Sequence, residues 1–307
     1  MIDRPLGTLL SLLLLTLGVG LIDLLLHFNR HMEQQMENNI RGIDMVVGAK
    51  GSPLQLILSS VYHIDNPTGN ISLDEAKKLL KHPLVDFGIP LSFGDTYQGY
   101  RIVGTDYSYT DLFNASLSEG KLWFGTLEVT VGAVAAQKLG VNIGDTFSGS
   151  HGLGKDGEDH EDHSYTVVGI FKPTNTVIDQ LILTATESVW SVHGEEGNEE
   201  ESISSGKHLH ENEHSLEEKS EHQITAMLVK FKSPMGVVQL PRIVNEGTNM
   251  QAAVPVYEIQ RLFTLMGVGI DTIQAVAIVI IVVSGLSIFI GLYGALRDRQ
   301  YEMALMR

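Results

Sequence analysis

Two apolar segments, one near each end, constrain this chain more than any other feature of its sequence. Leu6 to Phe28, LGTLLSLLLLTLGVGLIDLLLHF, is interrupted by a single acid, Asp23, and Ile273 to Tyr293, IQAVAIVIIVVSGLSIFIGLY, carries no charge at all. A helix rises about 1.5 Å per residue, so about 20 apolar residues cross a hydrocarbon core about 30 Å thick. Each segment is long enough to span. A secretory signal is the competing reading of the first, but its apolar core runs only about 7–15 residues and ends at a small-residue cleavage site. Here the run passes into HFNRHMEQQ, with nothing resembling A-x-A, and an uncleaved anchor is expected.

Two spans put both termini on one side of the membrane and the long middle segment on the other. Arg4 precedes the first span and Arg297, Arg299 and Arg307 follow the second, which places the termini in the cytoplasm; Arg30 and Arg41, beyond the first span, weigh against it. Asp23 falls near the outer end of its span. Snorkelling or a polar neighbour accounts for it there, and an intramembrane relay is the functional alternative.

The rest of the composition excludes more than it selects. A formal charge of −16 over 307 residues argues against a nucleic-acid partner, whose phosphates need clustered Lys and Arg. The absence of cysteine removes disulfides and thiolate metal sites.

Between the spans the pattern is mixed. Phe28, Met32, Met36 and Ile40 recur at steps of four and stop near Gly42; Ile259, Leu262, Phe263 and Met266 repeat at helical spacing ahead of the second span. Both spans are therefore expected to continue outward as helices, as a stalk or packed against the outer domain. SLDEAKKLLKHP opens with a capping box, Ser72 and Glu75, and stops at Pro83, TVGAVAAQKLG reads as a helix ending at Gly140, and Thr184 with Glu187 caps a short helix through ESVWSV. GYRIVGTDY, DTFSG, SYTVVGIF, QLILTA and ITAMLVKF read as strands, giving an α+β domain.

Two polar insertions, 149–163 and 193–222, interrupt this texture. In the first, GSHGLGKDGEDHEDH, Gly149, Gly154 and Lys155 fit part of a Walker loop and Gly152, Gly154 and Gly157 fit G-x-G-x-x-G. Asp156 stands where the Walker loop needs Ser or Thr, and no helix follows, so neither nucleotide reading holds. The second insertion has ten Glu, five His and two Lys, too little apolar content to bury itself. Imidazole with carboxylate suits Zn²⁺ and similar ions. His160 and His163 in EDHEDH and His208, His210 and His214 in HLHENEH are the candidate ligands of a low-affinity metal surface; the alternative is two solvated acidic loops. No nucleophile–base–acid constellation or G-x-S-x-G elbow is found, and this chain alone is not expected to be an enzyme.

GIDMVVGAKGSPLQLILSSVYHID after the first span, KLGVNIGDTF, YTVVGIFKPTNTVIDQLILT, and above all LSIFIGLYGALRDRQYEMALMR at the end of the second, resemble the permease subunits of ABC transporters of the MacB/FtsX type that work with a separately encoded ATPase. The resemblance covers nearly the whole chain. It implies two transmembrane helices with stalk extensions flanking an extracytoplasmic α+β domain, the MacB-like periplasmic core domain, in a multi-pass protein of the cell inner membrane. The corresponding division is 1–29 for the amino-terminal segment and first transmembrane helix, 30–268 for the periplasmic domain, 269–296 for the second helix and 297–307 for a cytoplasmic coupling segment. In the family that segment contacts the ATPase, which makes Arg297, Asp298, Arg299, Tyr301, Glu302 and Arg307 the candidate coupling residues. Arg297 and Arg299 read equally as positive-inside anchors. Two further spans usually follow in the family, so the sequence ending at Arg307 is expected to be truncated.

By the same resemblance the partners are a cytoplasmic ABC ATPase, a second copy of the chain in a homodimer, membrane lipid and a periplasmic protein. The implied work is mechanical, done by the outer domain on a lipid, lipoprotein, peptide or partner protein. A membrane receptor, with a ligand-binding domain between two spans, is the alternative function, and a tethered metal-binding scaffold is a third.

Overall fold

The computed structural model describes residues 5–150, 159–194 and 222–305. Two compact units result: Met1–Met36 with Gln260–Arg307, and Glu37–Ile259.

The first unit holds most of two long helices, α1 (Pro5–Ile40, 36 residues) and α8 (Pro255–Leu305, 51 residues). At about 1.5 Å per residue these measure roughly 54 and 76 Å, well beyond a hydrocarbon core of about 30 Å. Their apolar stretches, Leu12–Ile40 and Pro255–Gly294, have mean hydropathies of 1.9 and 2.8, and only 6% and 11% of the most apolar windows is buried. A core helix of a soluble protein would hide that surface; here Leu13, Leu17, Leu24, Val279, Val283 and Ile290 are all exposed. The helices of this unit meet at small residues. A Cβ added to Gly18 would lie 2.8 Å from Cγ1 of Ile281, and Ala277 and Ser284 are buried.

The second unit is built on one mixed sheet of ten strands. One half comprises β1 (Met45–Ala49), the amino-terminal part of β3 (Val85–Tyr97), β11 (Ala226–Phe231) and β12 (Met250–Ala253), paired antiparallel in the order β12-β1-β11-β3. α3 (Leu73–Leu80) and α7 (Met235–Gly247) contribute Ala76, Leu240 and Val244 to the core formed with Met45, Val47 and Met227 of these strands. α2 (Pro53–Ser60) follows β1, and a short ribbon of β2 (Ile71–Ser72) and β10 (Gln223–Ile224) pairs beside them.

The other half closes on itself. β3 pairs with β4 (Tyr100–Thr105) through its carboxyl-terminal residues, β4 runs parallel to β9 (Ile182–Ala185), and β9 pairs with β6 (Glu128–Val131). β6 runs parallel to β8 (Asp159–Phe171), β8 pairs with β7 (Thr146–Ser150), and Ser150 of β7 returns to Thr96 of β3. β5 (Leu117–Gly120) extends the sheet beyond β8. Ile102, Val129, Phe147, Tyr165, Val167 and Ile182 form the core of this half, together with Ala135 and Ala136 of α5 (Ala133–Leu139).

Several local signals have their expected outcome. Ser72 caps α3, its Oγ accepting from the Glu75 amide, and α5 ends at Gly140, whose φ of 68° is the left-handed conformation glycine tolerates. Other elements differ. GYRIVGTDY is a strand only to Thr105; Asp106 then accepts from the Ser108 amide and opens α4 (Tyr107–Leu112). Thr184 is no cap: α6 (Thr186–Gly194) starts after it, and its hydroxyl contacts the Glu128 carbonyl and Ser188 Oγ. Residues 159–163, read as loop, belong to β8, because the ladder with β7 continues to Ser150↔Asp159. β1, β3, β6 and β12 carry no clear alternation of their own; β3, VDFGIPLSFGDTY, holds two glycines and a proline inside a strand.

Candidate functional site: a buried arginine at an open groove

β3 and β4 are joined by a tight hairpin whose two central residues, Gln98 and Gly99, both have positive φ, 48° and 86°. The turn sets Arg101 opposite Thr96 and buries it to 6% exposure. Its guanidinium carbon lies 4.7 Å from the centroid of the Phe93 ring, a cation–π geometry, and Nη2 donates to the Asp65 carbonyl at 3.0 Å. Burial lowers the Arg101 pKa from its ordinary value, and the nearby Asp65 charge opposes that shift.

His63 packs against Phe93, edge to face at 5.3 Å, with a positive φ of 56°. Nε2 lies 3.0 Å from the hydroxyl of Tyr109, which is itself 1% exposed. Burial, reinforced by the Arg101 charge, pulls the imidazole down to about 3, so it is neutral at physiological pH. Burial also pushes the Tyr109 hydroxyl above the usual tyrosine range. Nε2 and the Tyr109 hydroxyl share one hydrogen bond, while Nδ1 is sealed and without a partner.

Arg101, His63 and Tyr62 line an open groove of about 600 Å³. Gln98 and Tyr100 form one rim, and the 3-10 turn Val177–Gln180 forms another. Two polar locks hold that turn. Asp179 accepts from the amides of Thr174 and Asn175 and from the Thr174 hydroxyl, all at 2.8 Å. Asn39, in the last turn of α1, accepts from the Val177 amide at 3.0 Å. A smaller cavity of about 360 Å³ lies among Arg41, Asn114, Lys172 and Thr174.

A second ordered feature is the loop between β5 and β6. Oε2 of Glu128 accepts from the amides of Phe124 and Gly125 at 2.8 and 3.0 Å, while Oε1 meets Lys121 Nζ at 2.8 Å. The Gly125 amide, then Lys121 and the Phe124 amide, hold this carboxyl down at about 2. Trp123 is buried under the loop and Phe124 projects at 87% exposure.

None of the site residues expected from sequence lines the groove. His160 and His163 lie on β8, the latter half-buried, and His208, His210 and His214 fall outside the described residues. Among the described residues no group of three or more His, Asp or Glu is placed to hold a metal ion. Arg297 is exposed on α8, Asp298, Arg299, Tyr301 and Glu302 continue that helix, and Arg307 falls outside the described residues. The groove went unread in the sequence although one signal was present: Arg101 is a lone cation in an otherwise apolar strand, YRIVGT.

A family model described as the MacB-like periplasmic core domain matches residues 8–235. The chain belongs to this family. It is thus a MacB/FtsX-type ABC transporter permease with a MacB-like periplasmic domain, and the family implies association with a cytoplasmic ABC ATPase. Solved structures similar to the chain include the periplasmic region of MacB from Actinobacillus actinomycetemcomitans, at 15% identity over 74% of this chain and 97% of that one, with a TM-score of 0.43. Another is the extracellular domain of the noncanonic ABC-type transporter YknZ from Gram-positive bacteria, at 12% identity over 68% and 98% of the two chains, with a TM-score of 0.41. A comparison with curated proteins gives no match.

Proposed function

We propose that this MacB-like chain is the permease subunit that carries ATP-driven movement of a separate ATPase to its extracytoplasmic domain, which acts on a lipid, lipoprotein, peptide or partner protein. The observation that carries the reading is one of length: the strands of the matched domain fall in sequence between two apolar helices of 36 and 51 residues, each longer than a bilayer requires. A continuous helix transmits displacement along its axis because its backbone hydrogen bonds and side-chain packing resist compression. Nothing of this kind needs a polar conduit through the spans. In this reading 1–29 and 269–296 cross the membrane, 30–268 works outside it, the outer turns of α1 and α8 form the stalk, and two copies assemble around the ATPase dimer.

The segment from Arg297 to Arg307, which begins on α8, is the proposed docking segment for the ATPase. At the other end of the relay, the bond from the Val177 amide to Asn39 ties the last turn of α1 to the rim of the Arg101 groove. The test is a topology reporter fused at the exposed tip near Gly140, together with one fused after Leu305. Activity of the first only outside the cytoplasm, and of the second only inside, is expected; the reverse would remove the whole reading.

A further inference from the structure

We infer that the groove at Arg101 is a binding site for a small oxyanion, the carboxylate or phosphate group of a ligand that Arg101 anchors. A guanidinium carries five N–H donors. Of these only Nη2 has a protein acceptor among the described residues, and that acceptor is the carbonyl of Asp65, not its carboxylate. The Asp65 carboxylate accepts from the Asn66 amide instead. A cation buried to 6% exposure is costly unless paired and hydrogen-bonded, and the charge of Asp65, an exposed residue, acts on it from nearby without a hydrogen bond to it, which leaves the guanidinium's other donors for a ligand.

The surroundings favour an anion further. His63 lines the same wall beside the arginine, and being neutral it leaves the guanidinium as the cation that an anion meets. The Phe93 ring packs with its centroid 4.7 Å from the guanidinium carbon and restrains it, so less freedom is lost when its donors engage an oxyanion. A volume of about 600 Å³ falls within the range of small-molecule sites. Gln98 and Gln180 are exposed on the rims and offer uncharged donors and acceptors for the remainder of the ligand, while Val177 and Leu181 supply an apolar side. This site does not rest on the force-transmission reading, since binding needs neither the ATPase nor movement.

The test uses the full chain in nanodiscs of zwitterionic lipid, without ATPase, titrated calorimetrically at constant ionic strength with inorganic phosphate, glycerol phosphate and acetate. Saturable one-to-one binding of at least one of them is expected, weakened about tenfold or more by Arg101→Gln, the usual consequence of losing a charge-assisted pair. Gln180→Trp, which fills the groove from its exposed rim and leaves the guanidinium intact, should weaken binding similarly and guards against misfolding of the first variant. No saturable heat with any probe, or equal affinity in the wild type and Gln180→Trp, overturns the proposal. Repeating the titration in nanodiscs containing phosphatidic acid separates the sources: competition with free phosphate assigns a lipid headgroup, and unchanged affinity assigns a soluble anion, both supporting the site.

Discussion

The hydroxyl of Tyr109 lies 3.0 Å from Nε2 of His63, and each buries the other's polar atom from water. Because His63 sits in the left-handed region, this bond also holds a backbone conformation that a non-glycine residue rarely adopts. Tyr109→Phe leaves Nε2 buried without a partner. The expected loss is about 1–3 kcal/mol, read as a lower unfolding midpoint of the full chain. A variant as stable as the wild type would show that the pair contributes nothing.

Acid should unfold the domain partly through the same histidine. Its folded pKa, about 3, lies below the unfolded value of about 6.5, so between those limits the unfolded chain binds the proton and the fold does not. Stability is then complete above about pH 6.5 and falls as pH drops toward 3, with a slope of at most about 1.4 kcal/mol per pH unit from this group. His63→Phe should flatten the curve between pH 6 and 4.5. An unchanged slope there would assign the acid sensitivity to other groups.

Glu128 answers to a lower window. Its carboxyl is held at about 2 by the Gly125 amide, Lys121 and the Phe124 amide, so its contribution is present above the ordinary glutamate value and is lost as pH falls toward 2. Glu128→Ala removes the shared acceptor of the two amides. Hydrogen exchange at Phe124 and Gly125 is expected to accelerate about tenfold or more, while exchange in β1 and β11 stays as it was.

The coupling reading is tested at the carboxyl-terminal end of α8. Replacing Tyr301 and Glu302 together with Ala should leave the unfolding of the extracytoplasmic domain unaltered and reduce transport-linked ATPase stimulation about tenfold or more, the effect of losing a few well-packed contact residues. Normal stimulation by the double variant would return this segment to the simpler role of a membrane-surface anchor.

What could be read from sequence follows from where its physical causes lie. Solvent choice is written locally: the apolar run from Leu6, broken by one acid, and the uncharged run from Ile273 are committed to lipid whatever the rest of the chain does, and the helices found there are longer than the runs themselves. Capping is local too, as Ser72 and Gly140 show, because donor and acceptor lie within one turn. The family motifs extended this to the fold, since they register whole segments at once.

Tertiary structure alone decided the rest. β3 looks like a loop by composition and is a strand only because β11, β4 and β7 supply its hydrogen bonds from distant parts of the chain. Residues 159–163 became strand for the same reason, through β7. The groove is the extreme case: His63, Arg101, Tyr109 and Gln180 carry no shared spacing, and only the closed pairing of β3, β4, β9, β6, β8 and β7, with the turn at Val177–Gln180, brings them together. Sequence set which runs meet lipid and where α3 begins and α5 ends; long-range backbone pairing set where a buried arginine would stand without a hydrogen-bonded carboxylate.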